Sequence, residues 1–266
     1  MEEFKLIMNM TQKIDTIILD LDGTLIKTEK LKDVFKQIAI DHGCTSDEAD
    51  DVYKNSRTEK DERGTERLVF SRDHFAEVLK EFLVKKGVEV GEIDFSKLNN
   101  ELNESILLPG ATELIEGAKK QGKKIYLITL GEGNWQKEKL KASGLEDYFS
   151  FGEGEEDANI IITDDNEAEE GRKLGAIRDK FGKDFTGEGA AFVNDKPWET
   201  KKLSLGFENM ECFVIPDLDD DRYNEADFKR AQDETIDGGG KFERVKSLTE
   251  FKKKFLTSER FDGIRK

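Results

Sequence analysis

The chain has 266 residues, of which 36% are hydrophobic and 38% are charged, and its formal net charge is -16. Apolar segments recur along its whole length, which excludes a disordered chain, and this length suffices to bury a core in one or two domains. The negative charge disfavours broad binding to nucleic acids or anionic membranes but allows a small anionic ligand in a locally positive pocket.

The first predicted element is a buried strand over residues 14–21, IDTIILDL, an apolar run typical of parallel sheets. From residue 27 to about residue 104, apolar side chains recur at helical spacing instead. Three helices are predicted there, within residues 31–43, 72–87 and 94–106. We predict no strand in this block and therefore interpret it as a helical insert.

After the insert, helices and strands alternate. Strands are predicted in the segments IYLITL, ANIIITDD, AAFVND and ECFVIPD, with helices after Pro109, Asn134 and Arg172. Residues 242–256 are predicted as a short strand followed by a helix, and the polar residues 217–240 as a solvated loop with a short helix. The alternation predicts βαβ crossovers and therefore an α/β fold with a parallel, doubly wound sheet.

Several predicted strands end in polar side chains. In open parallel sheets, ligands bind at the carboxyl ends of the strands. Clustered carboxylates are unfavourable unless a cation neutralises them, and a set of oxygen ligands with few histidines suits Mg²⁺. We therefore predict a magnesium site at this edge of the sheet. The side chains at the strand ends are Asp20 and Asp22, Thr129, Asp164 and Asp165, and Asn194 and Asp195.

Two other interpretations of LDLDGTL were considered. An EF-hand is excluded because the sixth position counted from Asp20 is Leu25, where that motif requires glycine. A strand followed by a turn with a capping aspartate remains the purely structural alternative.

The segment DLDGTL resembles the first motif of the haloacid dehalogenase-like superfamily, most of whose members are Mg²⁺-dependent phosphatases. The insert that follows resembles the C1-type cap of that family. PGATELIEGAKKQGKKIYLITLG is similar to the second motif, WQKEKLKASGLEDYF to the helix after it, and AAFVNDKPWET to the fourth motif. The resemblance implies a three-layer Rossmann-like parallel-sheet core, residues 1–27 and 105–266, with an inserted α-helical cap at residues 28–104.

The resemblance also implies roles for the residues that match the motifs. Asp20 would attack the phosphorus atom of a phosphomonoester and form an aspartyl-phosphate. Asp22 would protonate the leaving oxygen and later activate water, a function that a halide leaving group does not need. Gly23 would let the chain turn sharply. Thr129 and Gly131, together with Gly23, would contact the phosphate.

The implied Mg²⁺ site comprises Asp20, the backbone carbonyl of Asp22, and Asp195, with Glu199 reaching the metal directly or through water. The family has aspartate at the position of Glu199, so a surface helix acid is the alternative interpretation of this residue.

The third motif matches least well. The family uses a lysine, often followed by proline, to hold the nucleophile and the phosphate, and no Lys-Pro pair occurs between residues 131 and 190. We assign this role to Lys173, at the start of RKLGAIRDKFG, with Arg172 as the alternative. Trp135, which begins the helix after the second motif, could line the pocket or belong to the core.

The predicted function is Mg²⁺-dependent hydrolysis of a small phosphorylated metabolite, without nucleic-acid or membrane partners. The alternatives are a sugar phosphomutase of the same superfamily and a catalytically silent phosphate-binding or regulatory protein. Cys44 and Cys212 form no CxxC pair, and no apolar run approaches the ~20 residues that span a bilayer. With no recognisable signal peptide, this predicts a cytoplasmic protein. The substrate and the oligomeric state stay open.

Overall fold

The computed structural model describes residues 14–60, 66–103, 106–151, 158–163, 172–217, 220 and 222–256. These residues form eight strands and ten helices. The strands are β1 Thr16–Asp20, β2 Thr58–Lys60, β3 Glu66–Leu68, β4 Lys124–Leu130, β5 Ile160–Thr163, β6 Ala190–Asn194, β7 Glu211–Val214 and β8 Phe242–Arg244. The helices are α1 Thr28–Asp41, α2 Ser46–Asn55, α3 Arg72–Lys85, α4 Ser96–Asn103, α5 Ala111–Lys120, α6 Gly133–Ala142, α7 Arg172–Phe181, α8 Pro197–Gly206, α9 Glu225–Asp237 and α10 Leu248–Leu256.

Six strands form one parallel sheet in the order β5-β4-β1-β6-β7-β8. Alternate residues of β1 enter different cores: Ile17 and Leu19 pack with α5 and α10 on one face, whereas Ile18 packs with α7 and α8 on the other. Both faces of the sheet are therefore covered by helices. This three-layer α/β arrangement confirms the predicted fold class.

The segment between β1 and α5 contains α1 to α4, and its apolar side chains join the core that covers one face of the sheet. It is not wholly helical, contrary to the prediction: β2 and β3 form an antiparallel pair in which Thr58 faces Leu68. These three-residue strands are mostly charged, so no apolar alternation in the sequence indicates them. The division into a core and a cap at residues 28–104 stays a prediction.

Two helices differ from the sequence prediction. Helix α2 was missed, although Thr45 and Glu48 form a capping box at its start, a signal that the sequence does contain. Helix α9 is 13 residues long, more than the short helix predicted within residues 217–240, and it buries Phe228, Ala231 and Thr235 at helical spacing. Most residues of α9 are polar, so the sequence pattern did not reveal this narrow buried face.

Within the described ranges, no helix combines the length and the apolar character that crossing a bilayer requires.

Candidate active site

The candidate active site lies at the carboxyl end of the central strand of the sheet. Asp20 is the last residue of β1, which pairs with β4 on one side and β6 on the other. Strand β6 ends at Asn194, so Asp195 follows at the same edge. Asp20, Asp22 and Asp195 line one cavity of ≈ 190 Å³. The structure thus brings together the carboxylates that the sequence places at two separate strand ends.

Gly23 allows the chain to turn against Asp195. Its φ is +78°, and a Cβ atom there would lie 2.5 Å from Oδ2 of Asp195 and 3.2 Å from Oδ2 of Asp217. Any larger residue would therefore be strained in its backbone and would collide with a carboxylate. The tight contact explains why glycine follows the two aspartates.

Asp20 and Asp195 are almost completely buried, with 1% and 3% of their surface exposed. One oxygen of each, Oδ2 of Asp20 and Oδ1 of Asp195, has no hydrogen-bond partner in the described part of the structure. Burial raises the pKa of Asp20, against the effect of the Lys173 ammonium. Burial raises the pKa of Asp195 to about 8, and the nearby charge of Asp20 adds to this rise. Such buried, unpartnered carboxylate oxygens are costly unless a ligand contacts them.

Lys173, at the start of α7, holds the predicted nucleophile. Its Nζ lies 2.7 Å from Oδ1 of Asp20 and 2.7 Å from Oε2 of Glu199, and the side chain is buried. Burial alone would lower the pKa of Lys173, but the charges of Asp20 and Glu199 raise it. The sequence prediction included the contact of Lys173 with Asp20 but not the one with Glu199, and the contact of Lys173 with a phosphate stays a prediction. The side chain of its alternative, Arg172, lies outside the described part of the structure.

Glu199, in the first turn of α8, is paired with Lys173 rather than isolated. Its Oε2 accepts hydrogen bonds from Nζ of Lys173 and, at 2.8 Å, from Nδ2 of Asn194. Burial would raise its pKa, but the ammonium groups of Lys173 and Lys196 lower it to about 2. Glu199 is therefore an ionised partner of Lys173 and no mere surface acid, and its reach to a metal stays a prediction.

Asp22 is the least buried of the three aspartates, with 22% of its side chain exposed. Its Oδ1 accepts a hydrogen bond from Oγ1 of Thr28 at 3.0 Å and lies 2.5 Å from Nζ of Lys139. Burial would raise the pKa of Asp22, but the Lys139 charge and hydrogen bond hold it below its usual value.

Thr129 and Gly131 flank the end of β4. Oγ1 of Thr129 donates to Oε1 of Gln136 at 3.1 Å, and Nε2 of Gln136 donates to the Leu130 carbonyl at 3.2 Å. Gly131 lines the cavity, where a Cβ atom would lie 2.5 Å from Nε2 of Gln136. Leu130, Gly131 and Gln136 line the cavity here, whereas Thr129 is not among its lining residues. The contact of Thr129 with a phosphate therefore stays a prediction.

The model of the haloacid dehalogenase-like hydrolase family matches residues 14–200 of the chain. The chain belongs to this family. The matched range runs from the start of β1 into α8 and contains every predicted catalytic and metal-binding residue. No curated protein matches the chain in sequence.

Many solved structures share the fold of this haloacid dehalogenase-like (HAD) hydrolase, among them the following three. An L-2-haloacid dehalogenase from Xanthobacter autotrophicus has a TM-score of 0.53 at 14% identity, covering 93% of this chain and 99% of its own. A HAD-family hydrolase from Deinococcus radiodurans R1 with bound phosphate and sodium has a TM-score of 0.52 at 14% identity. The match covers 93% of this chain and 97% of that protein. A HAD-hydrolase from Bacillus subtilis bound to magnesium has a TM-score of 0.52 at 16% identity. The match covers 91% of this chain and 99% of that protein. At these identities the likeness shows the fold alone.

The residues of this HAD hydrolase fit a divalent cation. The unpartnered oxygens of Asp20 and Asp195 are hard anionic donors, and Mg²⁺ is commonly held by one or two carboxylates with water or phosphate completing its shell. The described residues contain no ready-made cluster of three or more His, Cys, Asp or Glu side chains, so the protein would supply only part of the coordination shell. The predicted strand-end residues Asp164 and Asp165 lie outside the described residues.

The cavity of the HAD hydrolase also has an aromatic wall formed by Phe35, Tyr53, Phe70 and Trp135. The Trp135 ring centroid lies 5.6 Å from that of Phe35 and 6.0 Å from that of Phe70, both in edge-to-face geometry. Trp135 therefore both lines the cavity and belongs to the core. This wall joins the insert to α6.

Sequence reasoning missed several polar residues of this cavity, among them Gln136, Lys139 and Lys196. Gln136 and Lys139 occupy the buried face of α6 beside Trp135 and Leu140, and a lysine at such a position was the available signal. Lys196 directly follows Asp195, with its Nζ 4.0 Å from Oδ1 of that residue. Burial would lower the pKa of Lys196, but the carboxylates of Asp195 and Asp20 raise it.

Proposed function

We propose that this HAD hydrolase is a Mg²⁺-dependent phosphatase that cleaves a small phosphomonoester through an aspartyl-phosphate intermediate. The observation that carries the proposal is the pair of aspartates at the end of β1. Asp20 is buried against Lys173, while Asp22 is two residues further on and more exposed to the cavity. One carboxylate is thus held as a nucleophile, and the second is available for proton transfer.

In the first step, a carboxylate oxygen of Asp20 attacks the phosphorus atom and forms a new P–O bond. The bond between phosphorus and the leaving oxygen breaks, and its electron pair stays on that oxygen. Asp22 enters this step protonated, a state that the negative charge of the bound phosphate favours over the ionised carboxylate of the free enzyme. It gives its proton to the same oxygen, so an alcohol leaves and Asp20 carries the phosphoryl group. Lys173, at 2.7 Å from Asp20, stabilises the negative charge that accumulates there.

In the second step, water attacks the phosphorus atom of the aspartyl-phosphate. Asp22, now a carboxylate, takes a proton from this water, and the bond between phosphorus and Asp20 breaks. The electron pair returns to the Asp20 carboxylate and inorganic phosphate is released. Both aspartates are then ready for another cycle.

Asp20 and Asp195 would hold the Mg²⁺ through their unpartnered oxygens, together with the backbone carbonyl of Asp22. When bound, the ion supplies positive charge that lowers the repulsion between the nucleophile and the phosphate and stabilises the phosphoryl oxygens. The Bacillus subtilis HAD-hydrolase bound to magnesium supports this choice of cation. The hydrolase from Deinococcus radiodurans R1 with bound phosphate supports the choice of substrate chemistry.

The cavity also favours a small substrate. Its lining has six basic side chains against five carboxylates, although the whole chain carries a net charge of -16. This contrast favours a phosphorylated metabolite over nucleic acid or a membrane surface. The volume of ≈ 190 Å³ lies below the usual range of pockets for drug-sized ligands. We propose that the insert acts as a cap, whose aromatic wall excludes water from the bound ester.

The test is the release of phosphate from p-nitrophenyl phosphate by the purified protein with Mg²⁺. Asp20→Asn should lower kcat/KM by at least about 1,000-fold, because an amide cannot form the acyl-phosphate. Asp33→Asn, on the exposed side of α1, is the matched control and should leave kcat/KM unchanged. Equal activity of the Asp20→Asn variant and the wild type would contradict the proposal.

The same assay separates the two alternatives. A sugar phosphomutase would need a bisphosphate activator and would return a phosphorylated sugar instead of free phosphate. A silent binding protein would bind Mg²⁺ yet turn over no member of a broad panel of phosphate esters.

A further inference from the structure

Lys139 is a buried cation that the proposed mechanism does not yet use. It lies on α6 with 2% of its side chain exposed, and its ammonium group is 5.8 Å from the centroid of the Trp135 ring. A buried ammonium is costly unless it is paired. Within the described residues its ion-pair partner is Asp22, whose Oδ1 lies 2.5 Å from Nζ. The fold thus places a desolvated charge beside one particular carboxylate.

The two donors that hold Asp22 contact the same oxygen. Thr28 donates to Oδ1 at 3.0 Å from the start of α1, and Lys139 contacts Oδ1 from α6. No hydrogen bond to Oδ2 of Asp22 occurs in the described part of the chain, and Asp22 lines the cavity. Fixing one oxygen from two directions restricts rotation of the carboxyl group and leaves the other oxygen available to a substrate.

We propose that Lys139 is the positioning residue for Asp22: it fixes the carboxyl group so that its second oxygen meets the leaving oxygen of the ester. This inference rests on the proposed function, because it assigns to Asp22 the proton transfer described above. In this proposal Lys139 acts through Asp22 rather than on the phosphorus atom or on the bond that breaks. Its loss therefore affects substrates in proportion to their need for a proton on the leaving oxygen.

The experiment compares ring-substituted phenyl phosphates, which differ little in size but differ in the acidity of the phenol that leaves. Phenol is a weak acid, with a pKa of about 10 like the tyrosine side chain, and its departure needs a proton. p-Nitrophenol is more acidic and leaves readily as an anion. kcat/KM reports the transfer of the phosphoryl group to Asp20, the step in which the phenol leaves.

Lys139→Met keeps roughly the length of the side chain but removes its charge. It should lower kcat/KM for phenyl phosphate by about 10- to 100-fold, which is part of what general acid catalysis contributes. For p-nitrophenyl phosphate the loss should be less than about threefold, since good leaving groups bypass the acid. Across the series, the dependence of log kcat/KM on the pKa of the phenol should become steeper. The control, Lys141→Met on the exposed side of the same helix, should retain the wild-type dependence.

Equal losses on all esters would mean that Lys139 serves only binding or folding, and this result would overturn its positioning role while leaving the proposed function intact. The absence of any effect would overturn the role as well. Wild-type protein that releases no phosphate from any ester would instead overturn the proposed function, and Lys139's role with it. If Lys139→Met fails to fold, Thr28→Val provides the same test, because Thr28 holds the same oxygen. The decrease in kcat/KM of the Thr28→Val variant should again be larger for phenyl phosphate than for p-nitrophenyl phosphate. An unchanged dependence of log kcat/KM on the pKa of the phenol would count against the proposal.

Discussion

At the scale of single residues, the site depends on very close packing around the turn after β1. Gly23 has a positive φ and leaves no room for a Cβ atom beside Asp195. The two requirements differ in kind: the first concerns the backbone of Gly23 alone, and the second concerns the position of a carboxylate from another strand end. A comparison of two glycines can separate them.

We expect Gly23→Ala to lower both stability and activity. The positive φ costs about 1–2 kcal/mol for a non-glycine residue, and the new methyl group would also displace the Asp195 carboxylate. Gly122→Ala is the control, because Gly122 has φ +68° but no atom within 4 Å of the added Cβ. Measurements of the unfolding free energy and of kcat/KM for both variants test this expectation. Loss of activity in the Gly122→Ala variant would contradict the role of the Asp195 contact.

At the scale of elements, the buried face of helix α6 makes three different contacts around the site. Trp135 closes the aromatic wall, Gln136 connects the helix to the end of β4, and Lys139 pairs with Asp22. Lys139 lies four positions after Trp135 and three after Gln136, so it shares a side of the helix with both. A shift of this single helix would therefore disturb the wall, the end of β4 and the carboxyl group of Asp22 together.

We expect Gln136→Leu to destabilise the protein by about 1–3 kcal/mol for each buried group left without a partner. The hydroxyl of Thr129 is such a buried group, whereas the carbonyl of Leu130 is only partly buried and contributes less. Chemical denaturation measures the loss, with Lys141→Leu on the exposed side of α6 as the control. An unchanged unfolding free energy for Gln136→Leu would show that these two hydrogen bonds contribute nothing net to stability.

At the scale of the whole molecule, an acidic protein surrounds a site that itself concentrates buried charge. Asp195 has a pKa of about 8 in the folded protein, against 3.8 when unperturbed, because burial opposes its ionisation. The folded state therefore binds more protons than the unfolded state between about pH 4 and pH 8. Stability that depends on this group falls as the pH rises through that window.

We expect Asp195→Asn to be more stable than the wild type in EDTA at pH 8, with the difference vanishing near pH 4. The melting temperature should rise by a few degrees, since about 1 kcal/mol corresponds to roughly 2–4 °C for a chain of this size. Mg²⁺ should raise the Tm of the wild type but hardly that of the variant, because the variant has lost a proposed ligand. A lower Tm of the variant at pH 8 without metal would contradict this account.

Much of the fold follows from local patterns in the sequence. The period of the apolar residues identified all six strands of the parallel sheet, and the polar residues that end them identified Asp20, Asp22 and Asp195 together at one edge. The hairpin of β2 and β3 could not be predicted in this way, because its short charged strands are stabilised by pairing with each other.

What the sequence determined by itself was the order of the elements and the residues at their ends, because side-chain periodicity and turn chemistry act between near neighbours. Only the tertiary structure decided which cation serves which carboxylate. Lys139 meets Asp22 across 117 residues, and Lys173 lies between Asp20 and Glu199. Such pairs form because the fold buries their charges together, and no spacing along the chain records that proximity.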